Sequence, residues 1–354
     1  MKVAIITDQH FGARNDSVAF LDFFQKFYDN IFFPTLVNNN IDTVLILGDT
    51  FDRRKYVNFY ALQRAKEMFF DRLSSAGISV HMLAGNHDTY YKNTNDINSP
   101  KLLLTDYDNV NVYSDPTEVD NMLYIPWINS ENRDKTFNLI NNTDRKIVMG
   151  HLEVNGYTMF KGTLCHTGLD ADIFSKFKSV YTGHFHTKHS LANINYLGCP
   201  WDLIFTDSDD VKGFHIYDTE MDSIEFISNP YKMYWKLYYD DSNAEKLNDL
   251  LLSDNTYDKL KESYVKVYVK AKVNSVYFDR YIEKINDSSP HSLGIVEDYV
   301  NVEGKEEETV SLTEDTLSIL KSSINDYIDI IQTDDKKKQI ESLLSNLYIE
   351  ALNI

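Results

Sequence analysis

The chain has 354 residues, 43% apolar and 25% charged, enough to bury one core of about 200 residues with smaller appendages. Fifty-four acidic against 35 basic residues give a formal net charge of −19, which excludes a generally basic protein that coats nucleic acid and assigns any DNA affinity to local patches, bound metal or a partner. No stretch nears the roughly 18 apolar residues of a membrane span, residues 1–7 lack a signal-peptide pattern, and Cys165 and Cys199 form neither a disulfide framework nor a zinc pattern, so a soluble protein of a reducing, cytoplasmic compartment is expected.

In chain order, residues 2–7, 43–47 and 78–83 are compact apolar runs, the pattern of strands buried on both faces. Between them the periodicity predicts two amphipathic helices, from Ser17 to about Pro34 and from about Tyr56 to Gly77. Further strands are expected at 122–125, 146–149, 179–182, 194–197 and 213–217, with fewer helices among them. That is too many for one parallel sheet, so the expected fold is α/β, a two-sheet αββα sandwich over residues 1–229. Residues 230–295 read as a small α+β capping domain containing an amphipathic strand at 264–273, with Val265, Val267, Val269, Ala271 and Val273 on one face and Tyr264, Lys266, Tyr268, Lys270 and Lys272 on the other. Residues 296–315, with eight acids and one lysine, read as a solvated linker. Residues 316–354 read as a helical pair, one stripe being Leu317, Leu320, Ile324, Ile328 and Ile331 and the other Ile340, Leu344, Leu347 and Ala351.

Five of the ten histidines fall directly after apolar strands, in Thr-Asp-Gln-His (7–10), Gly-Asn-His-Asp (85–88), Gly-His-Leu-Glu (150–153) and Gly-His-Phe-His (183–186); Gly-Asp-Thr-Phe-Asp (48–52) follows another. Loops of this kind bring their polar side chains to one rim of a sheet, where α/β folds bind ligands. Asp8 and His10, like His184 and His186, are two residues apart and face the same way in extended backbone. An isolated Asp-x-His occurs by chance in about every second chain of this composition, but Gly-Asn-His-Asp in roughly one of a few hundred. An oxygen and nitrogen donor set without thiolate suits Mn²⁺, Fe²⁺ or Zn²⁺. Seven candidate ligands are too many for one ion and fit two that share a carboxylate, an arrangement suited to phosphoryl displacement.

These ordered motifs resemble those of the calcineurin-like metallophosphoesterases, Asp-x-His, Gly-Asp-x-x-Asp, Gly-Asn-His-Asp, Gly-His and Gly-His-x-His, all present across residues 8–186. Chain length, the aromatic-rich region after 230 and the terminal helices are similar to the SbcD-type double-strand-break repair nucleases, among them the phage recombination subunits that work with an SMC-like ABC ATPase. The resemblance implies one metal held by Asp8, His10, Asp49 and His186 and a second by Asp49, Asn86, His151 and His184. It further implies His87 as the non-ligand histidine serving the leaving oxygen, Asp88 as its orienting partner, and Asp52 as a carboxylate supporting a ligand. It supplies two Mn²⁺ as the cofactors, with Mg²⁺, Fe²⁺ or Zn²⁺ as alternatives. The activity it implies is metal-activated hydrolysis without a covalent intermediate, 3′–5′ on duplex DNA and endonucleolytic on single strands, in the host cytoplasm for a phage protein. The alternatives are a phosphatase or cyclic-nucleotide phosphodiesterase on the same site, and a weakly catalytic subunit tethering an ATPase to DNA.

Secondary candidates are Arg53, Arg54 and Lys55 for DNA phosphates, and Lys266 and Lys270 with their neighbouring tyrosines for a nucleic-acid backbone. The terminal stripes, Leu317, Leu320, Ile324, Ile328, Ile340, Leu344 and Leu347, are expected to dock on the ATPase, identified by the resemblance as the partner, in a heterocomplex with two copies of each chain. Phe23, Phe24, Phe27, Phe32 and Phe33 supply either a homodimer face or core packing. Trp127 and Trp201 read as packing the rim loops, and Cys165 and His166 as structural.

Overall fold

The computed structural model describes residues 1–160, 163–243 and 257–297, so the terminal stripes and nearly all of the acidic linker lie outside the described residues. The described residues fall within one compact unit, Met1–Tyr299. The strands are β1 (Lys2–Ile6), β2 (Thr43–Ile46), β3 (Ser79–Leu83), β4 (Val110–Tyr113), β5 (Thr117–Val119), β6 (Met122–Ile125), β7 (Ile147–His151), β8 (Thr158–Phe160), β9 (Thr163–Leu164), β10 (Ser179–Gly183), β11 (His189–Leu191), β12 (Ile194–Tyr196), β13 (Gly213–Asp218), β14 (Ser223–Ser228), β15 (Tyr234–Asp240), β16 (Tyr264–Ala271) and β17 (Ser292–Val296).

Two six-stranded sheets form the sandwich, in the orders β14-β13-β1-β2-β3-β4 and β11-β12-β10-β7-β6-β5. β1 through β4 pair in parallel, as do β6, β7, β10 and β12, so each sheet delivers its strand ends to one rim. Two-residue alternation assigns the faces. On β1, Val3 and Ile5 join Leu45, Leu47, Met149 and Tyr181 between the sheets, while Ala4 and Ile6 join Val44, Val80 and the helices outside. On the second sheet Leu123, Val148 and Val180 face outward to Ile140 and Phe174. This is the four-layer arrangement that the sequence predicts.

The first helical stretch does not stop at Pro34. It runs through Val18–Phe27, a π-helical turn at Tyr28–Phe32, and Phe33–Asn38. Pro34 lies in the first turn of the last segment, where the missing N–H costs least, directly after the widened turn. Phe24, Phe27 and Phe32 are fully buried and Phe23 and Phe33 pack partly against them, so the phenylalanines serve the core rather than an exposed dimer face. Phe24 stacks on Trp201 with ring centroids 3.7 Å apart, and Trp201 Nε1 donates to the Gln9 carbonyl beside the site. Phe24→Ala is therefore expected to lower the unfolding free energy by about 3–5 kcal/mol, read as a denaturant midpoint shift at unchanged m-value.

The region after residue 230 holds a three-stranded parallel sheet, β15-β16-β17, with the helix Ser275–Asp287 crossing over between β16 and β17. Val265, Val267 and Val269 face its own small core with Tyr239, Phe278 and Ile285, as the alternation predicts. Its first strand begins in the main core: Tyr234 is buried against Phe205 and Phe20, and Asp202 Oδ2 accepts the Met233 N–H at 3.1 Å. β15 and β17 escape the sequence reading because neither is a clean alternating run; their burial patterns are irregular.

Candidate metal centre

Each expected ligand leaves a parallel strand at the same rim. Asp8 and His10 follow β1, Asp49 follows β2, Asn86 and His87 follow β3, His151 ends β7, and His184 and His186 follow β10. Asp8 (φ 53°), His10 (φ 49°), Asp49 (φ 49°) and His184 (φ 88°) all adopt left-handed backbone, a cost of order 1–3 kcal/mol each that folded proteins tolerate at functional sites. The loops interlock through the main chain, Asp8 N–H donating to the Gly48 carbonyl at 3.1 Å and His10 N–H to the Asp49 carbonyl at 3.0 Å.

The side chains form two groups that meet at Asp49. In one, Asp8, His10 and His186 converge, with His10 Nε2 3.1 Å from His186 Nε2 and His186 Nε2 3.9 Å from Asp8 Oδ1. In the other, Asn86 Oδ1 lies 2.9 Å from both His151 Nε2 and His184 Nδ1. Asp49, 1% exposed, spans them, its Oδ2 3.4 Å from His151 Nε2 and 3.9 Å from His10 Nε2. All seven residues expected as ligands are thus brought together.

Burial works against charge on Asp49, yet His151, His87 and His10 hold its carboxyl well below the usual range. The same burial would strip protons from His10 and His151, but neighbouring carboxylates, Asp52 and Asp49 for His10 and Asp49 and Asp8 for His151, raise each to about 9. Burial with the nearby His10 and Lys212 drives His186 well below its ordinary value. The pocket demands positive charge within a packed oxygen and nitrogen donor set, a demand that divalent cations satisfy. These residues fit such ions.

The supporting groups differ in part from expectation. Asp52 Oδ1 sits 3.3 Å from His10 Nδ1, so it orients the ring and leaves Nε2 toward His186. Asp88 does not orient His87. Its carboxylate is fully buried and accepts N–H groups from Gly85 at 2.9 Å, Thr50 at 3.0 Å and Phe51 at 3.2 Å, tying two loops together. The reason is position: Asp88 N–H bonds the Gly85 carbonyl, turning the side chain inward. His87 Nδ1 instead meets the Asp52 carbonyl oxygen at 2.6 Å, and its backbone N–H donates to Asp49 Oδ1 at 2.8 Å.

The secondary candidates stand as follows. Arg53 is committed to Asp16 at 3.1 Å, Asn15 at 2.6 Å and the Tyr56 hydroxyl at 2.7 Å. Arg54 Nε donates to the Asn86 carbonyl at 2.7 Å, at the lip of the centre, and Lys55 is exposed. Lys266 lies over Phe205 and Lys270 over Tyr238, outside the clusters. Trp127 packs against His184 with centroids 5.1 Å apart, as a rim residue.

Two residues were missed. Glu153, in Gly-His-Leu-Glu, reaches His184; its i, i+2 relation to His151 is the same spacing that singles out Asp8 and His10. Lys212 has no sequence signal: buried, it donates to the His186 carbonyl at 3.0 Å and lies 3.3 Å from Cys199 Sγ and 3.6 Å from Asp207. His186, Cys199 and Asp207 approach one another closely enough to suggest a third ligand group, but the Lys212 ammonium already supplies the cation there. Cys165 and Cys199 are both buried, and neither forms a disulfide.

Among the described residues no helix is long and apolar enough to cross a membrane. The family profile described as calcineurin-like phosphoesterase matches residues 1–188. The chain is 33% identical over 319 residues to exonuclease subunit 1 of Enterobacteria phage T4, covering 88% of each. It also shows a loose likeness, 12% identity and a TM-score of 0.33 over 65% of this chain and all of the other, to a solved archaeal phosphodiesterase, too loose to carry an argument. A profile spanning more than half of the residues, a relative alike over nearly its full length and this histidine and carboxylate centre agree: the chain belongs to the calcineurin-like phosphoesterase family and is an enzyme of its metal-dependent phosphodiesterase class.

Proposed function

We propose that the chain is a Mn²⁺-dependent DNA nuclease, 3′–5′ on duplex ends and endonucleolytic on single strands, acting as a subunit beside an SMC-like ATPase in the host cytoplasm. The observation that carries the reading is the pair of donor groups joined at Asp49, in a chain alike over 88% of its length to a phage exonuclease subunit. In this reading one ion belongs to Asp8, His10, Asp49 and His186, and the other to Asp49, Asn86, His151 and His184. When bound, the ions would polarise the phosphoryl oxygens and activate water for attack on phosphorus.

The protein's own groups do the rest. The Asp52 carbonyl accepts the Nδ1–H of His87 and fixes the ring, so that the imidazolium form would give its Nε2 proton to the departing oxygen and be left neutral with its remaining proton on Nδ1. Asp52 holds His10 in the tautomer whose Nε2 lone pair faces the ion. Arg54, with Lys55 beside it, is suited to a DNA phosphate at the lip, with Arg53, Lys266 and Lys270 as further contacts. Residues 1–229 form the nuclease domain and 230–295 the cap; 296–315 link them to the 316–354 segment, which docks on the ATPase.

The test compares linear duplex DNA, single-stranded circles and p-nitrophenyl phosphate, with Mn²⁺, for the wild type and His87→Gln. Wild type is expected to cleave DNA, and His87→Gln to lose about 10²- to 10⁴-fold in kcat with two Mn²⁺ still bound. Fast phosphomonoester turnover without DNA cleavage would replace the nuclease reading with the phosphatase one.

A further inference from the structure

We infer that Glu153 is a positioning residue of the centre, holding His184 in the tautomer and orientation that present Nδ1 to the ion shared with Asp49, Asn86 and His151. The inference rests on the two-ion reading above. Glu153 Oε2 lies 3.5 Å from His184 Nε2, while the opposite nitrogen, Nδ1, lies 2.9 Å from Asn86 Oδ1. A neutral imidazole carries one proton, so the nitrogen facing a carboxylate keeps it and the other keeps its lone pair. A carboxylate at Nε2 therefore makes Nδ1 the donor atom.

The carboxylate is itself held. Its other oxygen, Oε1, accepts the Thr167 hydroxyl at 2.7 Å and faces the Cys165 thiol at 3.8 Å. The Glu153 carbonyl accepts the Leu169 N–H at 2.8 Å, and Gly168, at φ +91°, packs so closely that a Cβ there would sit 2.6 Å from that carbonyl. The segment 165–169, directly after β9, thus holds Glu153 against His184, whose ring also contacts those of Trp127 and Phe185.

Mn²⁺ titration of the full chain, followed by electron paramagnetic resonance, separates a coupled ion pair from a lone ion. Wild type is expected to bind two. Glu153→Ala should weaken one of the two by about 10- to 100-fold, leaving mainly the lone-ion spectrum at limiting Mn²⁺. Glu153→Gln keeps an oxygen that can accept Nε2–H and should restore most of that affinity. Thr167→Val removes one tie on the carboxylate but leaves the His184 contact, and should weaken that ion clearly less than Glu153→Ala does. Two ions bound at wild-type affinity by Glu153→Ala would overturn the inference while leaving the centre standing. So would equal weakening by Thr167→Val, which would make Glu153 a loop tie. Fewer than two ions on wild type would overturn the two-ion reading and this inference with it.

Discussion

Asp49→Ala is expected to abolish measurable phosphodiester cleavage and to remove metal from both halves of the centre. Each other ligand candidate serves one group, but Asp49 faces both, at 3.4 Å from His151 Nε2 and 3.9 Å from His10 Nε2, and also receives the His87 amide on Oδ1. Its loss therefore deletes a shared ligand, the charge that keeps two histidines in place and the anchor of the proposed acid. Changes to groups behind the ligands cost about 10- to 100-fold in metal affinity or activity, and the removal of a shared ligand should exceed that range. Metal content per chain and kcat on linear duplex DNA check the result together. Full occupancy with near-normal cleavage in Asp49→Ala would mean that the two groups do not share a carboxylate.

How much of this could be read in the sequence follows from which signals are local. Buried parallel strands are short apolar runs, and β1, β2, β3 and β10 lie within a residue or two of their expected bounds because the helices and the other sheet leave no solvated face to interrupt them. The polar loops after them were legible because a Gly, Asp, Asn or His cluster after such a run has few structural uses. Edge and amphipathic elements were not: β5 and β14 carry mixed burial, and the 133–142 helix buries only Thr136 and Ile140. The roles of Asp88 and Glu153 depend on contacts that spacing does not encode. A carboxylate beside a histidine in sequence turned toward three backbone amides, whereas one 31 residues before His184 turned toward its ring. Lys212 was invisible because its value lies in the acids and carbonyl that fold around it.

Gly85→Ala is expected to disable the enzyme nearly as fully as loss of a ligand, although Gly85 has no side chain to contribute to chemistry. A Cβ at this position would lie 2.2 Å from Asp49 Oδ1 and 2.3 Å from the Asp49 nitrogen. Neither atom can yield cheaply, since the amide belongs to a strand-end loop held on β1 and the oxygen accepts the His87 N–H. The loops after β2 and β3 meet backbone to backbone here: a Cβ on Gly48 would come within 2.9 Å of the Gly85 Cα. Relief requires the Asp49 segment to move by a sizeable part of an ångström, and a misplacement near 1 Å costs about 10²-fold in rate. Overpacking adds about 1–3 kcal/mol of destabilisation. Gly77→Ala is the control, because nothing lies within 4 Å of its Cβ and its strain comes only from φ +66°. That variant should lose about 1–2 kcal/mol of stability and keep its kcat. If both variants lose similar stability while only Gly85→Ala loses Mn²⁺ and cleavage, the close approach of two loops, rather than general loosening, sets the geometry of the centre; equal retention of kcat by Gly85→Ala would show that Asp49 tolerates displacement and would undo the argument.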